Sequence, residues 1–201
     1  MSDKDISSRV RLRELKTLSD DHYVLRRALF DYRRSDGQWQ TLKRESYELG
    51  DAVAVLPWDR ARGRVLLIRQ FRWPVFEAGV HELLVEAVAG KLDGDAPADG
   101  ARREAMEEAG VTLGALTQVS HCFVSPGAVK ERMTLFLADY DSTALRQKGG
   151  GHAEEGEDIE VLELPLDEAY AMIAGGEVID AKTIILLQAA AMASQGANAV
   201  R

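Results

Sequence analysis

Apolar residues recur along this chain in strand-length runs first and in helical spacing last. Residues 10–19 read as a strand of mixed patterning, and residues 22–32, HYVLRRALFDY, rich in aromatic and branched side chains, as a second. Ser35-Asp36-Gly37 is a turn signal, and residues 39–47 follow as a third strand, so the start of the chain predicts an antiparallel meander. DAVAVLPW from Asp51 and RVLLIRQFRW from Arg64 are nearly unbroken apolar runs, as expected of strands buried on both faces. A polar turn at 59–63 joins them. Residues 82–89, ELLVEAVA, read as one strand feeding Gly90, and 116–124 and 133–140 as two more. A loop rich in glycine and acid, GGGHAEEGE at 149–157, precedes the strand DIEVLELP. Two helices close the chain, LDEAYAMIAGG from Leu166 and AKTIILLQAAAMAS from Ala181.

One helix interrupts the strands. Asp95 is placed to cap it, Pro97 falls in its first turn, and Gly110 supplies its stop after Ala109. It carries Glu104, Glu107 and Glu108 at i, i+3 and i+4, on one face, where like charges repel. A cation relieves such a cluster, and carboxylate oxygens suit a hard ion such as Mg²⁺, with Mn²⁺ as a substitute. Arg103 stands four residues before Glu107 and is expected to pair with it, leaving Glu104 and Glu108 for metal. The plain alternative is a solvated charged face.

Composition narrows the partners. The chain has 201 residues, 46% of them hydrophobic and 29% charged, enough for one substantial core with a small appendage. Its net charge of −8 is a poor match for nucleic acid or an anionic membrane. The N-terminal residues lack the apolar run of a secretory signal, and no stretch approaches a membrane span, so a cytoplasmic location is expected. The single cysteine, Cys122, cannot form an internal disulfide. His22, His81, His121 and His152 lack metal-ligand spacing. There is no phosphate-binding glycine loop and no nucleophile elbow, so a covalent route has no support. Strands broken by one acidic helix and finished by helices predict an α+β or mixed α/β fold.

The run Arg103-Glu104-Ala105-Met106-Glu107-Glu108-Ala109-Gly110-Val111 resembles the core of the Nudix box. The box's loop glycine would fall on Ala89, whereas Gly90 stands one place late, and Asp95 or Ala96 lies where the loop glutamate belongs. The segments LIRQFRW, SPGAVKE, GGGHAEEGEDIEVLELP and GEVIDAKT are similar to the nucleotide-sugar branch of that superfamily, first to its GDP-mannose hydrolases and then to its ADP-ribose diphosphatases. The resemblance implies an α/β/α sandwich at 49–201 behind an N-terminal antiparallel β meander at 1–48.

It also implies a chemistry: Mg²⁺-dependent hydrolysis of a nucleoside diphosphate sugar, GDP-mannose giving GMP and mannose 1-phosphate. ADP-ribose giving AMP and ribose 5-phosphate is the alternative, and a silent nucleotide-binding sensor a distant third. By resemblance, Glu104, Glu108 and the carbonyl of Ala89 hold metal, and Glu157 either joins them or takes the proton of the attacking water. Glu155 is the rival base. Arg72, Glu131 and Lys182 would contact substrate, as would Tyr23, Lys43, Arg44 and Glu45 from the meander. In this family the meander exchanges between two subunits, so a homodimer is implied. Each of these charges also has the plainer reading of a solvated side chain, and Arg69, three residues from Arg72, most of all.

Overall fold

The computed structural model describes residues 5–144, 146–152, 154 and 156–198. Strands β1 (Val10–Asp20), β2 (Val24–Arg33) and β3 (Trp39–Glu48) form a three-stranded antiparallel sheet in the order β1-β2-β3. Pairing sets Leu12 against Phe30 and Phe30 against Leu42, so these apolar residues share one face. Nothing in the sheet covers its first strand: every residue of β1 is exposed, Leu12 by 61%. Residues 123–131 belong to this same unit. The Tyr47 N–H donates to the Ala128 carbonyl at 2.8 Å, and the Lys130 N–H to that of Tyr47 at 2.9 Å.

The second unit is built on a mixed sheet of seven strands. Its main path runs β10 (Glu160–Pro165), β5 (Arg64–Gln70), β4 (Asp51–Asp59), β9 (Arg132–Asp139), β8 (Leu116–Phe123). β4 and β9 run parallel, and β4 is buried from Ala52 to Asp59, as its unbroken apolar run requires. Alternation splits that strand between two layers. Val53 and Val55 pack in one cluster with Ala101, Ala105 and Ala109 of α2 (Pro97–Ala109). The opposite face receives α4 (Ala181–Asn198), whose Leu186, Leu187 and Ala190 are fully buried and which also packs on α3 (Leu166–Gly175). The result is the expected α/β/α sandwich. Among the described residues no helix is long and apolar enough to cross a membrane.

Three local expectations change. The strand read over 82–89 is two strands: β6 (Leu84–Glu86) pairs with β5, and β7 (Val88–Lys91) with β4. Between them the Ala87 N–H turns to the Thr183 hydroxyl at 2.7 Å, which satisfies a buried donor outside the ladder. The run from Arg64 leaves the sheet at Gln70 and turns into a short helix, α1 (Trp73–Glu77), opened by Pro74, which lacks a ladder donor. Asp95 does not cap α2. Ala96 is the N-cap without a side-chain bond, and Asp95 instead accepts Arg103 Nε at 3.1 Å.

Candidate active site

Helix α2 lays its glutamates against β7, and the contact is close. A Cβ added to Gly90 would stand 2.0 Å from the Glu104 carboxyl carbon, so only glycine lets Glu104 reach the strand backbone. Glu108 turns to the preceding residue, its Oε2 accepting the Ala89 N–H at 3.0 Å. Arg103 grips Glu107 at 3.1 Å, as its spacing predicts. It also reaches Glu104 Oε1 at 2.7 Å and the Lys91 carbonyl at 2.8 Å, so Glu104 is not left wholly unpaired.

Both inward carboxyls hold protons tightly. Burial pushes Glu104 up, Arg103 opposes, and Glu107 adds repulsion, for a net pKa of about 6. Burial pushes Glu108 higher still; the Ala89 N–H opposes, Glu104 and Glu157 add repulsion, and the result is about 8. Two acids at 9% and 2% exposure, crowded and short of positive partners, are a site that a cation would complete. Among the described residues no three His, Cys, Asp or Glu side chains converge as a ready-made cage. A hard ion that keeps much of its water needs only one or two carboxylates. The two buried carboxyls of Glu104 and Glu108 therefore fit a divalent cation.

Glu157 sits half-buried on the 149–157 loop, its Oε2 accepting the His152 N–H at 2.8 Å. It is near enough to raise both box acids. Glu155 lies outside the described residues, while Glu154 and Asp158 are exposed.

Arg72 and Lys182 meet at a residue that sequence reasoning passed over. Glu86, 3% exposed in its side chain, accepts Arg72 Nε at 2.8 Å on one oxygen and Lys182 Nζ on the other. Lys182 is also 3.0 Å from Asp180, which caps α4 by accepting the Thr183 N–H at 3.0 Å and its hydroxyl at 2.5 Å. Burial lowers the lysine's proton affinity, but Glu86 and Asp180 more than restore it and hold it charged. Arg72 likewise loses by burial and gains from Glu86, Glu108 and Glu157. It stands beyond the end of β5 as the N-cap of α1, so strand alternation with Arg69 does not govern it. Arg69 pairs with Glu160 at 2.7 Å, 44% exposed. The acid flanked on both sides by apolar residues within 83–89 was the signal for Glu86, since an ion there demands partners.

The remaining candidates lie in the first unit. Tyr23 packs edge-on against His22 and Tyr47, at 4.3 and 5.4 Å between ring centroids. Lys43, Arg44 and Glu45 are exposed on β3, where alternation sends Arg44 to the face opposite the other two. Arg44 and Glu45 line an open cavity of about 460 Å³ together with Phe123, Pro126 and Lys130. Glu131 is half-buried at the end of the 123–131 segment.

A glutamate helix docked on a strand, inside an α/β/α sandwich, defines a class, and the sequence comparisons agree with it. The NUDIX domain matches residues 48–187, and the chain belongs to the Nudix family. The GDP-mannose pyrophosphatase NudK N-terminal domain matches residues 9–47. The GDP-mannose pyrophosphatase of Pectobacterium atrosepticum is 44% identical, over 91% of this chain and 94% of its own. That of Cronobacter sakazakii is 42% identical, over 91% and 95%. Among solved structures, an ADP compounds hydrolase superposes with a TM-score of 0.71 at 18% identity, covering 94% of this chain and 96% of that one, a likeness of fold.

Proposed function

We propose that this Nudix hydrolase cleaves the diphosphate of GDP-mannose to GMP and mannose 1-phosphate. The observation that carries the chemistry is the buried pair Glu104 and Glu108, docked on the backbone at Ala89 and Gly90. The relatives named GDP-mannose pyrophosphatase, matched along nine-tenths of the chain, support the substrate.

Mg²⁺, or Mn²⁺ in its place, would be held by Glu104, Glu108 and the Ala89 carbonyl, and when bound it supplies charge neutralisation at the diphosphate and a more acidic water. Arg72, fixed by Glu86, offers a planar fork to a phosphate. Glu157 accepts the proton as the water oxygen bonds to phosphorus and the bridging P–O bond breaks. Lys182, Glu131 and the meander residues Tyr23, Lys43, Arg44 and Glu45 would bind the remainder of the nucleotide sugar. The acidic chain supports a small-molecule substrate, and a cytoplasmic location goes with that reading. The uncovered apolar face of β1 supports a homodimer joined through the meander, residues 1–48 forming the dimerisation unit and 49–201 the hydrolase.

The test is initial rates with Mg²⁺ on a panel of nucleotide sugars with product identification. GDP-mannose should give the highest kcat/KM. ADP-ribose cleaved more than about tenfold better, roughly 1.4 kcal/mol of barrier, would reverse the assignment.

A further inference from the structure

The sequence suggests that three consecutive glycines make the 149–157 loop pliant, but the structure uses them to fasten it. Helix α2 ends at Gly110 in the left-handed conformation, φ 68°, leaving carbonyls in its last turn that need donors. The loop supplies them. Gly150 N–H donates to the Glu108 carbonyl at 2.9 Å, Gly151 N–H to that of Glu107 at 3.1 Å, and Gln147 N–H to that of Gly110 at 2.8 Å.

The approach leaves no room for side chains. A Cβ on Gly149 would stand 2.7 Å from both the Ala109 carbonyl carbon and the Glu108 oxygen, which are main-chain atoms that cannot swing aside. Gly149 lies outside the positive-φ region, so its need for glycine is one of space alone. One on Gly151 would stand 2.4 Å from Glu157 Oε2. The loop then closes on itself: His152 N–H holds that same oxygen, Glu157 N–H returns to the His152 carbonyl at 3.2 Å, and Ile159 N–H to that of Gly150 at 3.3 Å. Glu108 therefore serves twice. Its side chain faces Ala89, and its main-chain carbonyl anchors the loop bearing Glu157.

We infer that Gly149 is a positioning residue, which lets the loop clamp the end of α2 and so sets the distance of Glu157 from Glu104 and Glu108 through main-chain bonds. The inference rests on Glu157 acting as the base. A misplacement of about 1 Å in such a group can cost about 10²-fold in rate.

The experiment is a double-mutant cycle of Gly149→Ala with Glu157→Gln. Gly149→Ala should lower kcat about tenfold or more while KM stays within about threefold. In the Glu157→Gln background the same alanine should change kcat by less than about twofold. In the metal-free protein, the Gly150 and Gly151 amides should be protected from hydrogen exchange, and Gly149→Ala should remove that protection. If Gly149→Ala does not fold, hydrogen exchange at the Gly150 and Gly151 amides of the parent protein decides by itself. A normal kcat in Glu157→Gln would sink the base assignment itself. With Glu157→Gln crippled, a normal kcat in the alanine variant, an equal loss in both backgrounds, or unprotected glycine amides in the parent would overturn the clamp.

Discussion

Glu108 keeps its proton at a pH where most carboxyls have long lost theirs, and this has a sign that can be measured. Its folded pKa of about 8, and that of Glu104 at about 6, lie above the unfolded value of about 4.3. Between those limits the folded, metal-free chain binds more protons than the unfolded one, so its stability falls as pH rises. Denaturant midpoints of chelator-treated protein should therefore drop from pH 6 to pH 8, and Glu108→Gln should flatten that drop. Metal must displace the same protons, so Mg²⁺ affinity by calorimetry should weaken as pH falls over this window. Glu104→Gln and Glu108→Gln should each lower kcat by about 10²-fold or more, a few kcal/mol of barrier, with the fold intact. Near-normal turnover in both variants would remove α2 from the metal site.

Between elements, two contacts do most to shape the site, and they differ in how far the sequence foretells them. The docking of α2 on β7 follows from local pattern: glutamates at one-turn spacing, a glycine before them and Gly110 after. Gly90→Ala should push Glu104 off the strand and lower kcat about tenfold or more, as read from initial rates. The junction of β6 with α4 was not legible, because Glu86 and Lys182 are 96 residues apart and neither spacing nor periodicity relates them. For the same reason the sequence gives no sign that Lys182 lies buried between Glu86 and Asp180. The break at Ala87 was equally hidden, since it depends on a hydroxyl from that distant helix. Asp95 looked like a cap because it precedes Pro97, but the guanidinium two turns on is the stronger partner. Glu86→Ala strips both cations of a shared counter-charge and should cost roughly 3 kcal/mol in chemical denaturation. Lys182→Met should cost less, since Arg72 still neutralises Glu86.

At the scale of the whole molecule, the exposed strand β1 is where the proposed dimer can be tested. Light scattering at micromolar concentration should give twice the mass of the chain, and Leu12→Glu together with Leu15→Glu, at 61% and 51% exposure, should shift it toward the single mass. A parent protein that stays at the single mass would refute the dimer. The buried cluster on Glu86 has a consequence for how the molecule comes into being. A ribosome builds Glu86 with its strand, then must make almost a hundred more residues before the lysine that completes its environment exists. Until then the acid has only Arg72, and the Ala87 amide has no hydroxyl to meet. The residues of α2 thus leave the ribosome well before the lysine that completes the surroundings of Glu86. Stalled nascent chains released before Ala181 should be protease-sensitive around residues 82–89, and chains released after α4 should not be.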